Sequence, residues 1–291
     1  MGLTGQYIWV SDSSIFDIIS GSYKLNVTGE LASNVSIDAK KTNIASISIE
    51  DSAKNITSYL DYLQKNIQLL NEIIVTPLTP ITASSDQFNS NFSVFNKLSG
   101  VTSVFVVPNS SLDIVNFPLS SSNYTIKKIT AADSFNLVVN DSTNTKQTYT
   151  LNQVERIHFP DLNLAFDLSG NAGCTAEILG AVFGPSAISN RAYVGIGLNL
   201  LDKGTSLQNL VILALNVVLG PNITNEQEIQ LINKNIFGSS LSSSTISSYI
   251  NMITSGQYSQ ADFAIMEMQG SQNLTNINLT GLIQTGIAYT S

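Results

Sequence analysis

Val154–Gly184 reads VERIHFPDLNLAFDLSGNAGCTAEILGAVFG, and the chain changes character across it. Before Gly170 apolar residues alternate with polar ones, the period of a strand. After it they recur every three or four, the period of a helix. The expected fold class is α+β. An N-terminal strand–helix repeat region, solenoid-like, runs into short β-strands and is followed by an all-helical C-terminal domain. The expected domains are 1–168 and 169–291.

Upstream, Tyr23–Val27, Ile44–Ile49, Ile73–Val75 and Val101–Val107 alternate as strands do. Helical segments lie between them. Asp51-Ser52 can cap a helix that places Ile56, Tyr59, Leu60 and Leu63 on one face. Ser84-Ser-Asp-Gln87 is a capping box, followed by Phe88, Phe92 and Phe95 at helical spacing and stopped by Gly100. Leu31–Lys41 is a weaker helix. A strand-plus-helix unit recurring at roughly 20–30 residues is the signature of a solenoid, whose units bury by stacking what none buries alone. An irregular α/β domain is the competing reading. From Ile114 to Asp167 short strands follow: Tyr124–Ile129, Phe135–Val139, Thr148–Leu151, Arg156–Phe159 and Leu162–Phe166. Turn residues separate several of them, at Ala132–Ser134, Asn140–Asn144 and Pro160-Asp161.

Downstream, Thr224-Asn-Glu-Gln227 is a capping box that leads into Ile229, Ile232 and Ile236 and ends at Gly238. Ile246, Tyr249, Ile250 and Ile253 form another stripe, and Ser259-Gln-Ala-Asp262 opens a further helix. The half reads as a duplication. Val182-Phe183-Gly184, a polar loop, a helix ending at Gly204 and Ser206-Leu-Gln form one copy. Ile236-Phe237-Gly238, a polar loop, a helix ending at Gly256 and Ser259-Gln-Ala form the other.

Composition narrows the class. The chain has 291 residues, of which 43% are hydrophobic, so a packed core is expected and disorder is not. Only 12% are charged, about half the ~25% of a typical globular chain. Ser, Thr and Asn carry the polarity instead. A net charge of −8 with 13 thinly spread Lys and Arg argues against nucleic acid as a partner. The one cysteine, Cys174, excludes an intrachain disulfide. The longest apolar run, Leu210–Leu219, is broken by Asn216 and closed by Gly220-Pro221. It falls short of the ~20 residues that span a bilayer, so it is expected to be a buried helix and not a transmembrane segment. The opening MGLTGQYIWVSDSS lacks the basic and apolar regions of a secretory signal peptide. Export through a C-terminal signal is the expectation.

The central stretch resembles a domain family of unknown function. Its members lie at the C-termini of bacterial proteins exported by type I secretion, often beside calcium-binding RTX repeats. Val154, Glu155, Arg156, Phe159, Asp161, Leu164, Ala165, Asp167 and Gly170-Asn-Ala-Gly173 carry the resemblance. The tail Asn278–Tyr289 and the upstream ISIEDSAKNITSYLDYLQ are similar to segments of the same surface proteins. The resemblance implies a secreted surface protein of S-layer-like or adhesin-like kind, with its export signal in the tail from about Asn273. This chain departs from the family pattern at Gly184-Pro-Ser and Gly238-Ser-Ser, and its one tryptophan, Trp9, lies far from either loop. RTX glycine-aspartate repeats are absent.

Catalytic sets are missing. His158 is the sole histidine and alternates with Ile157 and Phe159 in a strand. No Gly-x-Ser-x-Gly elbow is present, no Cys/His set spells a zinc site, and no phosphate-binding glycine loop occurs. Cys174 starts a helix, where the dipole lowers a thiol pKa, but its neighbours mark it as a small packing residue. Calcium is the one plausible metal. Asp141, Asp161 and Asp167 lie in or beside turns rich in Asn, Ser and carbonyl oxygens, the ligands calcium prefers. Asp and Asn favour turns without any ion as well.

The functional expectation is a non-enzymatic, extracellular bacterial cell-surface protein that self-assembles into a surface layer or array. The alternative is an adhesin-like module that binds a cell-surface glycan or a host protein.

Overall fold

Capping residues start helices where the sequence places them, but the expected helix over Ile56–Leu63 is two, broken at Tyr59 (φ −112°), and the Leu31–Lys41 helix shrinks to Val35–Asp38. The computed structural model describes residues 7–11, 23–100, 102–131, 134–141 and 147–290. Contacts divide the chain into two units, Met1–Val154 and Glu155–Ser291. The fold is mixed α/β, with the C-terminal part helical.

The first unit begins with β1 (Tyr7–Val10), β2 (Lys24–Glu30), α1 (Val35–Asp38), β3 (Ile44–Asp51), α2 (Ala53–Ser58), α3 (Leu60–Lys65) and β4 (Leu70–Val75). β5 (Ile81–Ser84), α4 (Ser85–Ser90), α5 (Phe92–Phe95), β6 (Leu98–Ser99) and β7 (Thr102–Val107) follow. Then come β8 (Ile114–Asn116), β9 (Tyr124–Ala131), β10 (Ser134–Asp141) and β11 (Gln147–Asn152). Strands β1, β2, β3, β4 and β6 form one sheet in that order, each neighbour parallel. A second sheet runs β5-β7-β11-β10-β9, parallel across its first three strands and antiparallel across the rest. Val101 and most of the 140–144 turn lie outside the described residues.

Capping fixes the helix starts. The Ser52 hydroxyl accepts from the Asn55 N–H at 3.2 Å. Ser84 and Gln87 exchange bonds of 3.1 and 3.0 Å, the two halves of a capping box. The expected single helix over Phe88–Phe95 is two, because the chain departs from helical geometry at Asn91 (φ −123°). The Asn91 amide bonds the Asp61 carboxylate and the Gln87 carbonyl, both at 3.0 Å. Phe88 stacks on Phe95 at 5.4 Å and meets Phe92, Phe117 and Tyr149 edge-on at 5.3–5.6 Å. This aromatic cluster is the heart of the unit's core.

The second unit comprises β12 (Arg156–His158), β13 (Asn163–Ala165), α6 (Asn171–Ile178) and a π-helical turn at Leu179–Phe183. A 3₁₀ turn over Pro185–Ser189 leads to α7 (Arg191–Asp202), α8 (Leu207–Leu219), α9 (Asn225–Phe237) and α10 (Ser243–Thr254). α11 (Gln260–Met268), α12 (Ser271–Asn276), α13 (Leu279–Thr285) and β14 (Ile287–Tyr289) complete it. The same order of elements occurs twice. A helix ends in Phe-Gly at a positive-φ glycine, Gly184 or Gly238. A loop, a helix and a second positive-φ glycine, Gly204 or Gly256, follow. A serine N-cap, Ser206 or Ser259, then opens the next helix.

α6 and the π turn that follows it serve two cores. Ala172, Ala176 and Leu179 pack with Val194, Leu198, Ile277, Ile287 and Tyr289. Ile178 and Val182 pack with Val211, Leu215, Ile232, Ile236 and Met268. Asparagine amides clip the helices together where a charged chain would use ion pairs. Asn235 donates to the carbonyls of Ala181 and Val182 at 2.9 and 2.8 Å, and Asn273 to those of Glu177 and Met268 at 3.0 and 2.7 Å.

Two further expectations need correction. The C-terminal part is not all-helical: β14 pairs antiparallel with β13 (Leu164 against Ala288), which satisfies backbone groups that a frayed tail would leave open. Leu210–Leu219 is not wholly buried either. Leu210, Val211, Ala214 and Leu215 face the core, while Leu213, Val217 and Val218 are 47%, 74% and 40% exposed. Among the described residues no helix is long and apolar enough to cross a membrane.

Candidate functional site

Glu155 and Asp167 of the central stretch meet on one buried guanidinium, that of Arg156. Arg156 leaves β12 with a side chain only 1% exposed. Its Nη1 donates to Asp167 Oδ1 and, at 3.1 Å, to the Glu155 carbonyl. Its Nη2 donates to both oxygens of Asp202, at 3.1 and 3.2 Å. Asp167 lies in the turn ahead of α6. Its Oδ2 accepts from the Ala172 N–H at 3.3 Å, and its carbonyl accepts from the Gly170 N–H at 2.8 Å. Burial raises the Asp167 pKa, with the Arg156 charge and hydrogen bond opposing it. Asp202 ends α7, where the helix dipole disfavours an anion. Arg156 and the Asn171 amide, 2.7 Å from Oδ1, offset that. The arrangement ties β12, the turn before α6 and the end of α7 together. It is a structural clamp: one cation holds two carboxylates, with amide donors taking up remaining lone pairs.

Gly173 completes the turn. A Cβ there would stand 2.0 Å from the Leu168 carbonyl oxygen and 2.8 Å from its carbon. Both are backbone atoms, so nothing can swing aside. Gly173→Ala is therefore expected to open the Asp167 turn and cost about 3 kcal/mol, the upper range for overpacking. Urea unfolding followed through the helical circular-dichroism signal measures it; a midpoint equal to wild type would refute the close approach.

His158 and Tyr289 pair across the small sheet, with Nε2 and the hydroxyl 2.7 Å apart. Burial, then the Arg156 charge, lowers the imidazole pKa, and burial pushes the phenol up to about 12. Both are neutral at pH 7. Cys174 is a free thiol whose pKa burial raises, with Glu177 and Asp167 adding to it. It is a packing residue with little thiolate character.

The three aspartates read as calcium ligands fall in different places. Asp141 ends β10 in the first unit, and its side chain lies outside the described part. Asp161 is exposed in the turn joining β12 to β13. Asp167 lies at the open end of that same hairpin, beyond the Arg156–Ala165 pair, with its carboxylate on Arg156. The hairpin register sets Asp161 and Asp167 at opposite ends. Among the described residues no group of three or more His, Cys, Asp or Glu is placed to hold a metal ion.

A concave feature lies beside the clamp, on α6. A pocket of about 330 Å³ opens between α6, the π turn, α7 and α8. Its walls are apolar, including Leu179, Phe183, Tyr193, Ile196 and Leu213. Thr175 lies among them, 1% exposed, with a hydroxyl that has no hydrogen-bond partner. Neither the clamp partner Asp202 nor Thr175 is marked by the sequence, because each gains its role from a segment distant along the chain, Asp202 from Arg156 and Thr175 from Gly197 on α7. The small-residue pair Gly195 and Gly197 is the one local sign of close packing there.

No family model matches the chain, and no curated protein or solved structure matches it significantly.

Proposed function

We propose that this chain is a secreted bacterial cell-surface structural protein that assembles with copies of itself into a surface layer or extracellular array. The observation that carries the reading is the parallel stack β1-β2-β3-β4-β6, which follows chain order and has β1 at its edge. In this reading the stack is solenoid-like, and it extends when another strand pairs with the edge. Low charge supports the same reading, since 12% charged residues weaken the self-repulsion that keeps copies apart. The clamp around Arg156 is architecture in this account, and no residue is assigned a catalytic role.

Calcium belongs to the proposal as a bridge between copies. An acidic chain that packs against itself must neutralise carboxylates where copies meet, because burying one unpaired is costly. Asp141, Asp161 and Asp167 are the positions to examine, with the Asp167 carboxylate on Arg156 and Asp161 exposed. Export completes the proposal, with a signal in the tail. Asn273, Ile277, Ile287 and Tyr289 are buried in the second unit, so a truncation would also damage the fold. Attaching residues 273–291 to a reporter protein tests export without that damage.

Electron microscopy of the purified chain, with calcium and after dialysis against a chelator, tests assembly. Ordered sheets or filaments are expected, lost or loosened without calcium. Arrays unchanged by the chelator would remove calcium and leave assembly. A monodisperse monomer in both conditions, especially one retained by a glycan resin, would overturn assembly in favour of adhesion.

A further inference from the structure

The pocket between α6, α7 and α8 has the size and lining of a small-molecule site, and one buried polar atom in it is unexplained. Thr175 sits in the middle of α6, where a threonine hydroxyl ordinarily bonds a carbonyl one turn back. Here Oγ1 has no partner, although the residue is 1% exposed. An unsatisfied buried hydroxyl is destabilising and asks for an explanation. Gly197 on α7 keeps the space around it. A Cβ at Gly197 would lie 2.6 Å from Thr175 Cγ2 and 3.1 Å from Oγ1. The chain thus accommodates the threonine without bonding it.

The mouth is apolar too. Ile196, Leu213 and Val217 stand at it, 58%, 47% and 74% exposed. No lining residue is charged. An ionic headgroup inside would be unpaired, which is costly. A partner's apolar side chain would fill the walls but leave Thr175 unbonded.

We propose that this pocket binds a neutral amphiphile: a hydrocarbon body with one uncharged hydrogen-bonding group, such as a medium-chain alcohol, whose polar end pairs with the Thr175 hydroxyl. A volume of about 330 Å³ falls at the small end of known ligand pockets, ~300–1,000 Å³. The site is independent of assembly: it needs only the second unit's own helices.

Nile red fluorescence on the whole 291-residue chain gives the test. Displacement by 1-octanol and by 1-chlorooctane is measured for wild type and Thr175→Val. The valine keeps the shape and deletes the hydroxyl. Octanol is expected to displace the dye from wild type and to weaken about five- to tenfold in the variant, the worth of one hydrogen bond. Chlorooctane, which has no hydroxyl to offer, is expected to bind both proteins alike. No displacement by octanol overturns the site. Equal octanol affinity in the two proteins overturns the role of Thr175. Octanol binding that weakens as protein concentration rises would show a second copy occupying the pocket, and would overturn the small-molecule reading. Thermal melts of both proteins confirm that the variant is folded.

Discussion

Arg156→Met is expected to cost about 3–5 kcal/mol, the usual loss when one partner of a buried ion pair is removed. At ~4 °C per kcal/mol for a domain of this size, the helical melting transition should drop by roughly 15 °C. The loss comes from what stays behind. Asp167 and Asp202 are only 16% and 18% exposed, and without the guanidinium neither has a cation. Methionine fills the volume, so the loss is electrostatic and not a cavity. Arg156→Lys keeps the charge but cannot reach Asp167 and both oxygens of Asp202 together, so an intermediate loss is expected. The triple variant Arg156→Met, Asp167→Asn, Asp202→Asn should recover much of the stability, because uncharged amides need no counter-ion. Urea unfolding by circular dichroism measures all three. A single variant as stable as wild type would show that the carboxylates find solvent on their own.

Glu228→Gln is expected to stabilise the chain at pH 8 by on the order of 4 kcal/mol and to change little at pH 4.5. Glu228 lies in the first turn of α9, is 0% exposed, and neither carboxyl oxygen has a hydrogen-bond partner. Burial pushes its pKa from 4.5 up to about 8. The folded state therefore holds a proton that the unfolded state releases from about pH 4.5. The group's contribution is fully present below that pH and is lost as pH rises through about 8. Glu177, pushed up to about 7 by burial, adds loss of the same sign. His158 works the other way, because burial lowers its pKa from 6.5 and its contribution fades as pH falls. The difference between wild type and Glu228→Gln isolates one carboxyl from these. Denaturation midpoints measured from pH 4.5 to 8.5 should converge at the acid end and separate at the basic end. Parallel midpoints throughout would mean that Glu228 ionises in contact with water.

Much of the secondary structure was legible because its signals are local. Ser52, Ser84, Thr224 and Ser259 cap helices through bonds to N–H groups three residues on. The glycines at 238 and 256 close helices with positive φ that other residues resist. Strands β2, β3, β4, β9, β10 and β11 showed as alternation. β5 was missed, being four residues between Pro80 and a cap, too short for a period to register. β14 was missed because its pairing with β13 joins residues more than 120 positions apart in sequence, such as Ala288 and Leu164.

The site was half legible. Arg156 and Asp167 stood out in the central stretch, yet Asp167 read as a metal ligand, since a carboxylate in a turn looks the same whichever cation it meets. Its partner is a guanidinium from the neighbouring strand, and Asp202, 46 residues from Arg156, completes the set. Thr175 and Glu228 gave no sign at all.

By itself the sequence determined what depends on neighbours within one turn or one strand: element types, most of their ends, the low charge, and the impossibility of an intrachain disulfide. Tertiary structure decided which face of α8 stays open, that the tail closes the small sheet, and that Arg156 is the cation Asp167 meets. Those outcomes turn on desolvation and packing between segments far apart in the chain. The free energy of burying a carboxylate or a hydroxyl is set by what folds against it, and no local pattern of residues encodes that.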